Sequence, residues 1–307
     1  MPEPVEHFAR DPEWTWYILF YFFFAGLSGG SYFLASLLRI NGNRLDEPAA
    51  RLGYYVAFLA LLPCPVLLTL DLGQPLRFWH MLVNTTPGHE GLAFKYWSPM
   101  SVGAWALVVF GAIATVSVIE AWLSGRRDPD RASLLRDGVP GKVWTVVGGL
   151  FGLFVASYTG VLLAVSNQPV WSDTWLLGGL FLASALSGSV ALLGWLASSR
   201  RDARASAPVF VRAERFYPAL EVALLVVFVV TLIPAGALGR AFGFPWILLW
   251  LVALVGLVPG LTGRFAAQPA VAGRGEVAVG SAVATVATLV VLLGVLALRA
   301  AVIFSAQ

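Results

Sequence analysis

Eight stretches of this chain each run for about 20 residues with little charge, the length that one helix needs to cross a bilayer. They cover residues 14–38, 49–70, 99–123, 143–165, 174–197, 216–238, 244–262 and 277–298. Inside lipid the backbone must satisfy its own N–H and C=O groups, so runs of this length become helices. The expected fold class is all-α, a polytopic membrane protein with eight transmembrane helices and no strand pattern. Composition agrees, with 58% hydrophobic and 12% charged residues among 307. The first run follows mixed charges and lacks a small-residue cleavage site, so it is expected to stay as a membrane helix rather than be removed as a signal.

Lys and Arg divide unevenly between the connecting loops. Arg39, Arg44 and Arg51 follow the first run, Arg126, Arg127, Arg131, Arg136 and Lys142 the third, Arg200, Arg201, Arg204, Arg212 and Arg215 the fifth, and Arg264 and Arg274 the seventh. The other side holds only Arg10, Arg77, Lys95, Arg240 and Arg299. The positive-inside bias then directs both termini outward, together with Asp71 and the long segment 72–97. The net charge of +3 is small. Its arginines read as topology signals touching anionic lipid, and no nucleic-acid partner is expected.

Several chemistries are excluded by what the chain lacks. Its one cysteine, Cys64, allows neither an internal disulfide nor a cysteine-ligated cluster. His7, His80 and His89 all fall on the outer side and outside the apolar runs, and Met100 is the only methionine at a helix start. No haem ligated by this chain is expected, nor a metal site. No P-loop and no Ser-His-Asp arrangement is present.

What remains is a set of protonatable groups near one face. The segment Thr69-Leu70-Asp71-Leu72-Gly73-Gln74-Pro75-Leu76-Arg77-Phe78-Trp79 sets a carboxylate, a guanidinium and aromatics where an apolar run ends. Tyr17 and Tyr21 lie in the outer half of the first run. Tyr158 lies seven residues before Val165, about 10 Å below the outer end of the fourth at 1.5 Å per residue. Phenol, carboxylate and the imidazole of His80 are the groups that hold a quinone by its carbonyl oxygens and exchange two protons with it. The plain alternatives are a belt role for the tyrosines, an exposed loop position for His80, and pairing of Asp71 with Arg77. Glu120 and Glu221 lie toward the basic side, where each needs a partner or a water chain. They are candidates for a proton route.

A faint echo links Leu27-Ser28-Gly29 with Leu186-Ser187-Gly188 and would suit two four-helix halves. Gly26, Gly29 and Gly30, like Gly148, Gly149 and Gly152, read as sites of close helix approach.

With those residues in view, the chain resembles the NrfD-type family of quinone-reactive membrane subunits, which includes the membrane subunit of polysulfide reductase. The resemblance rests on Phe24-Ala25-Gly26-Leu27-Ser28-Gly29-Gly30-Ser31, on Asp71 to Trp79, on Ser98-Pro99-Met100-Ser101 and on Ser157-Tyr158-Thr159-Gly160-Val161-Leu162-Leu163. It implies two four-helix bundles, residues 1–170 and 171–307, with a quinone pocket in the first near the outer face. It also implies an iron-sulfur partner with several [4Fe-4S] clusters, and a molybdenum-pterin catalytic subunit on the periplasmic side of a bacterial inner membrane. Tyr158 matches the family's quinone-binding tyrosine. Tyr21 falls where polysulfide reductase-like members carry a histidine, and a neighbouring polar position falls on Ile18.

The reading that follows is a quinone oxidoreductase subunit that binds menaquinone or ubiquinone near Tyr158, Asp71, Tyr21 and His80, with Arg77 steadying Asp71 or the loop. Without haem or cluster ligands of its own, such a chain needs a partner's cluster close to the quinone. Segment 71–97, with Phe78, Trp79, His80, His89, Lys95 and Tyr96, is the expected docking surface. Two competing readings are a secondary transporter with Asp71, Glu120 and Glu221 along its path, broken at Pro63-Cys64-Pro65 and Pro234-Ala235-Gly236, and an inert anchor for a redox enzyme.

Overall fold

The computed structural model describes residues 12–41, 43–126, 135–262 and 274–307, the last of these in side-chain detail from residue 282. His7, Arg10, Arg127, Arg131 and Arg264 lie outside the described residues. The helices are α1 (Trp16–Ile40), α2 (Glu47–Leu61), α3 (Pro63–Asp71), α4 (Pro99–Arg126), α5 (Gly138–Ala164), α6 (Leu177–Ser199), α7 (Ala207–Ala235), α8 (Leu238–Phe242), α9 (Trp246–Thr262) and α10 (Arg274–Ser305). Seven membrane-length apolar helices result, counting α2 and α3 as one, and α9 is a shorter apolar helix of 17 residues.

Two expectations need correcting. The second apolar run is not one uninterrupted ladder of helical hydrogen bonds. Pro63 and Pro65 lack the N–H groups that would bond to the Leu59 and Leu61 carbonyls, so the ladder lapses there while Leu62 keeps helical dihedrals and the chain continues as α3. Nor is strand pairing absent, because Val83–Asn84 and Gly91–Leu92 form an antiparallel hairpin, β1 and β2, within the 72–97 segment. Its turn is fixed by Asn84, whose Oδ1 accepts from both the N–H and the hydroxyl of Thr86. Two-residue strands are too short to show an alternating pattern. Helix ends also overrun the apolar windows. α7 begins at Ala207, with Pro208 in its first turn, and carries Arg212, Glu214 and Arg215 inside the helix.

α1 is the central element, packing against α2, α3, α5, α6 and α10. It reaches α5 at Gly29, where an added Cβ would collide with the Gly152 carbonyl. α4 and α7 lie at the periphery and expose Val108, Val116, Val226 and Val230, as helices solvated by lipid do.

The ends of the described chain share one face. The Trp14 N–H donates to Gln307 Oε1 at 2.6 Å, and Gln307 Nε2 returns a bond to the Trp14 carbonyl at 3.1 Å. The opposite face holds the arginine-rich loops, tied together where Ser206 donates to Asp46 Oδ1 at 2.6 Å.

Candidate functional site

Four helices and the segment after α3 enclose a cavity of about 200 Å³ on the terminal face. Each helix offers one stripe at helical spacing. Ile18, Tyr21 and Phe22 come from the start of α1 with Trp14 just before it, Pro65, Leu68 and Thr69 from α3 with Leu72 just after it, Met100, Gly103, Ala104 and Leu107 from α4, and Tyr158 and Leu162 from α5. Asp71, at the last position of α3, adds a carboxylate to the rim. Walls are apolar almost throughout. Side-chain polarity comes from Tyr21, Tyr158, Asp71, Thr69 and the Trp14 indole.

Tyr158 is fixed from three directions. Its hydroxyl donates to the Pro99 carbonyl at 2.6 Å, and its ring stacks on Phe154 with centroids 5.5 Å apart. The ring also lies over Gly103, where any Cβ would overlap the phenol. With its hydrogen committed to Pro99, the Tyr158 oxygen keeps a lone pair for a donor. Tyr21 is buried and makes no hydrogen bond with another described residue, so its hydroxyl is a free donor at the cavity. Thr69 is committed elsewhere, donating to the Pro65 carbonyl at 2.7 Å. Trp14 is held by Gln307 and stacked on Trp171 at 5.2 Å.

The loop residues expected at one site divide between two. Pro75–Met81 is a 3-10 helix, in which residues three apart share a face. Phe78 and Met81 point into the cavity, while Arg77 and His80 lie on another face. No ion pair joins Arg77 to Asp71, and the Arg77 side chain is exposed. His80 instead lines a second depression of about 630 Å³, with His89, Glu90, Lys95 and the β1–β2 hairpin. Its ring packs on Trp79 at 4.0 Å. Phe78, expected at the docking surface, lines the cavity while staying half exposed, and His80, expected both at the cavity and in the docking segment, lies away from the cavity beside His89 and Lys95. Tyr17 is exposed on α1 and Ile18 lines the cavity.

Glu120 and Glu221 are far apart in their surroundings. Glu120 accepts from Arg39 Nη2 at 2.8 Å and from Ser124 at 2.6 Å, and Arg39 also binds Glu47 at 2.7 Å. This is an ion-pair network at the basic face. Glu221 is buried on α7 beside α6, and α4 packs instead on α2 and α5. No group of three His, Cys, Asp or Glu side chains suited to a metal occurs among the described residues.

Sequence reasoning missed Trp14, Met100, Gly103 and the Pro99 carbonyl as parts of the site. The signal was available in the shared helical spacing of the four stripes.

Comparison with known proteins gives a family match. The family described as Polysulphide reductase, NrfD matches residues 5–307. A selenate reductase subunit of Mesobacillus selenatarsenatis is 30% identical over 115 residues, covering 38% of this chain and 24% of that one. A polysulfide reductase polypeptide of Wolinella succinogenes is 25% identical over 185 residues, 58% of this chain and 56% of that one. The alignments therefore span about a quarter to just over half the length of these curated relatives.

Proposed function

This chain belongs to the NrfD family, and from that membership together with the cavity we propose that it is the quinone-reactive membrane subunit of a reductase complex. The observation that carries the reading is the meeting of two phenols and one carboxylate on an otherwise apolar cavity. A quinone supplies two-electron, two-proton chemistry when bound. The free Tyr21 hydroxyl donates to a carbonyl oxygen, the Tyr158 oxygen accepts from a quinol hydroxyl, and Asp71 at the rim receives or returns a proton. Apolar stripes from α1, α3 and α4 exclude water from the ring. Menaquinone and ubiquinone both satisfy these contacts.

We infer that electrons then pass directly to or from a partner's iron-sulfur cluster, since a single cysteine cannot hold a cluster within this chain. The partner's expected seat is segment 72–97, which exposes Leu76, Leu92, Tyr96 and Trp97 beside His80, His89 and Lys95. A molybdenum-pterin subunit beyond it is the catalytic partner by family analogy. We place these subunits on the outer side of a bacterial inner membrane, with arginine-rich loops in the cytoplasm, α9 as an eighth span and the helices as two groups of four.

The transport reading has less support. Glu120 is engaged by Arg39 and Ser124, and the packing of α4 and α7 on different neighbours separates it from Glu221.

Intrinsic fluorescence tests the proposal, since Trp14 lines the cavity. Titrating the detergent-extracted complex with a hydroxyquinoline N-oxide quinol analogue should give saturable quenching. Quenching that remains linear with analogue concentration removes the quinone assignment. Iron and molybdenum in the same preparation support the partners; a lone, metal-free chain argues against them.

A further inference from the structure

Away from the cavity, the interior between α6, α7 and α10 holds three ionisable side chains that the proposed quinone chemistry does not use. Glu214 and Glu221 are 4% and 3% exposed, and Arg299 is fully buried. Both glutamates have an Oε2 atom with no hydrogen-bond partner among the described residues. Charged groups at such depth are costly unless they are paired, hydrated or titrating.

Their placement follows a single line. Glu214 and Glu221 are seven residues apart, two turns along one face of α7, or about 10 Å at 1.5 Å per residue. That face looks at α6. The Glu214 carboxylate lies against Gly194, and Glu221 stands two turns further along the same face of α7. Glu221 stands at the middle of α7, and Glu214 lies between it and the end that meets the arginine-rich loops. Between the two, Pro218 has no N–H to give the Glu214 carbonyl, which adds a backbone acceptor to the line.

Arg299 closes the deep end. Its Nη1 donates to Ser184 Oγ at 3.1 Å, and no ion pair within 4 Å joins the guanidinium to Glu221. Its other bonds go to the carbonyls of Val295, Phe181 and, on α1, Phe22, which lines the cavity. The buried polar and charged side chains that the neighbouring elements bring to this region are Ser184 and Ser187 from α6 and Arg299 from α10. α9 meets α7 through Trp250 against Phe228 and Gly260 against Pro218, with no charge.

We propose that Glu221 is a mid-membrane proton-exchange site, reached from the arginine-rich face by way of Glu214 and blocked toward the other face by Arg299. The step is a bare proton transfer. Water on the arginine-rich face gives a proton to Glu214, Glu214 passes it to Glu221, and the same path returns it. Arg299 repels a proton moving further and links the charge on Glu221 to the Phe22 carbonyl at the cavity wall.

The test reads the carboxyl group itself. Infrared spectra of the intact complex in lipid vesicles, transferred from H₂O to D₂O over a range of pH, should show a carboxylic C=O band that shifts on exchange. Glu221→Gln should remove that band, and Glu221→Asp should retain one at a displaced frequency, which guards against simple misfolding. Glu214→Gln should slow its exchange at least tenfold while keeping its amplitude. A complex whose carboxyl bands are all unaffected by Glu221→Gln, or in which Glu214→Gln leaves the exchange rate unchanged, overturns the proposal. Quenching by the quinol analogue is measured in the same samples, so failure of the quinone assignment registers separately.

Discussion

The Tyr158 hydroxyl and the Pro99 carbonyl are joined by a 2.6 Å hydrogen bond that ties the last third of α5 to the first residue of α4. The bond sets the direction of the phenol at the cavity and leaves its oxygen lone pair for a ligand. Tyr158→Phe keeps the ring, its stack on Phe154 and its seat on Gly103. Quinol turnover is expected to fall tenfold or more, about 1.4 kcal/mol of activation free energy, with assembly intact. The check is steady-state quinol oxidation per assembled complex.

Gly103→Ala attacks the same contact from the other side. A methyl group there occupies the volume of the Tyr158 ring, so ring or helix must move, at a typical cost of about 1–3 kcal/mol. Quinol-analogue affinity should drop along with thermal stability. Gly111→Ala on the same helix, where an added Cβ meets only the Leu61 side chain at 3.9 Å, is the control that should leave both unchanged.

Asp71→Asn preserves shape and hydrogen bonding at the rim while removing the group able to take a proton. Analogue affinity should stay within about twofold, an effect of about 0.4 kcal/mol, and turnover should fall. Equal loss of affinity and turnover would show that Asp71 positions the ligand rather than handling its proton.

Phe78 and His80 are two residues apart and should behave as residues of different sites. Phe78→Ala is expected to weaken analogue quenching. His80→Ala, alone or with His89→Ala, should leave quenching alone and reduce co-purification of the iron-sulfur partner. Metal content and quenching on the same preparations separate the two.

Arg39→Ala strips the cation from Glu120, which is only 6% exposed, and from Glu47. Breaking a buried pair in this way costs about 3–5 kcal/mol. The unfolding midpoint should fall clearly while turnover per folded complex is retained. Loss of turnover without loss of stability would return Glu120 to a proton route.

Much of this arrangement is legible in the residues themselves. Apolar run length locates the membrane helices, because lipid leaves the backbone no other way to satisfy its polar groups. Counting from helix ends places Tyr21, Asp71 and Tyr158 at one depth, and the structure sets all three on one cavity. Less legible is the split of the 72–97 segment. A 3-10 turn repeats every three residues rather than every 3.6, so Phe78 and His80 part company in a way that a linear reading cannot show. Glu214 and Arg299 fall just outside apolar windows drawn to avoid charge, at 216–238 and 277–298. Their burial comes from packing between α6, α7 and α10, which no single window contains.

The interruption at Leu62 carries one more implication. The two prolines where α2 gives way to α3 release two backbone acceptors where the cavity wall carrying Pro65, Leu68, Thr69 and Asp71 begins. The acceptors freed there need donors from outside the helix, so this side of the wall, carboxylate included, rests on a first turn held by fewer backbone bonds than the helices beside it.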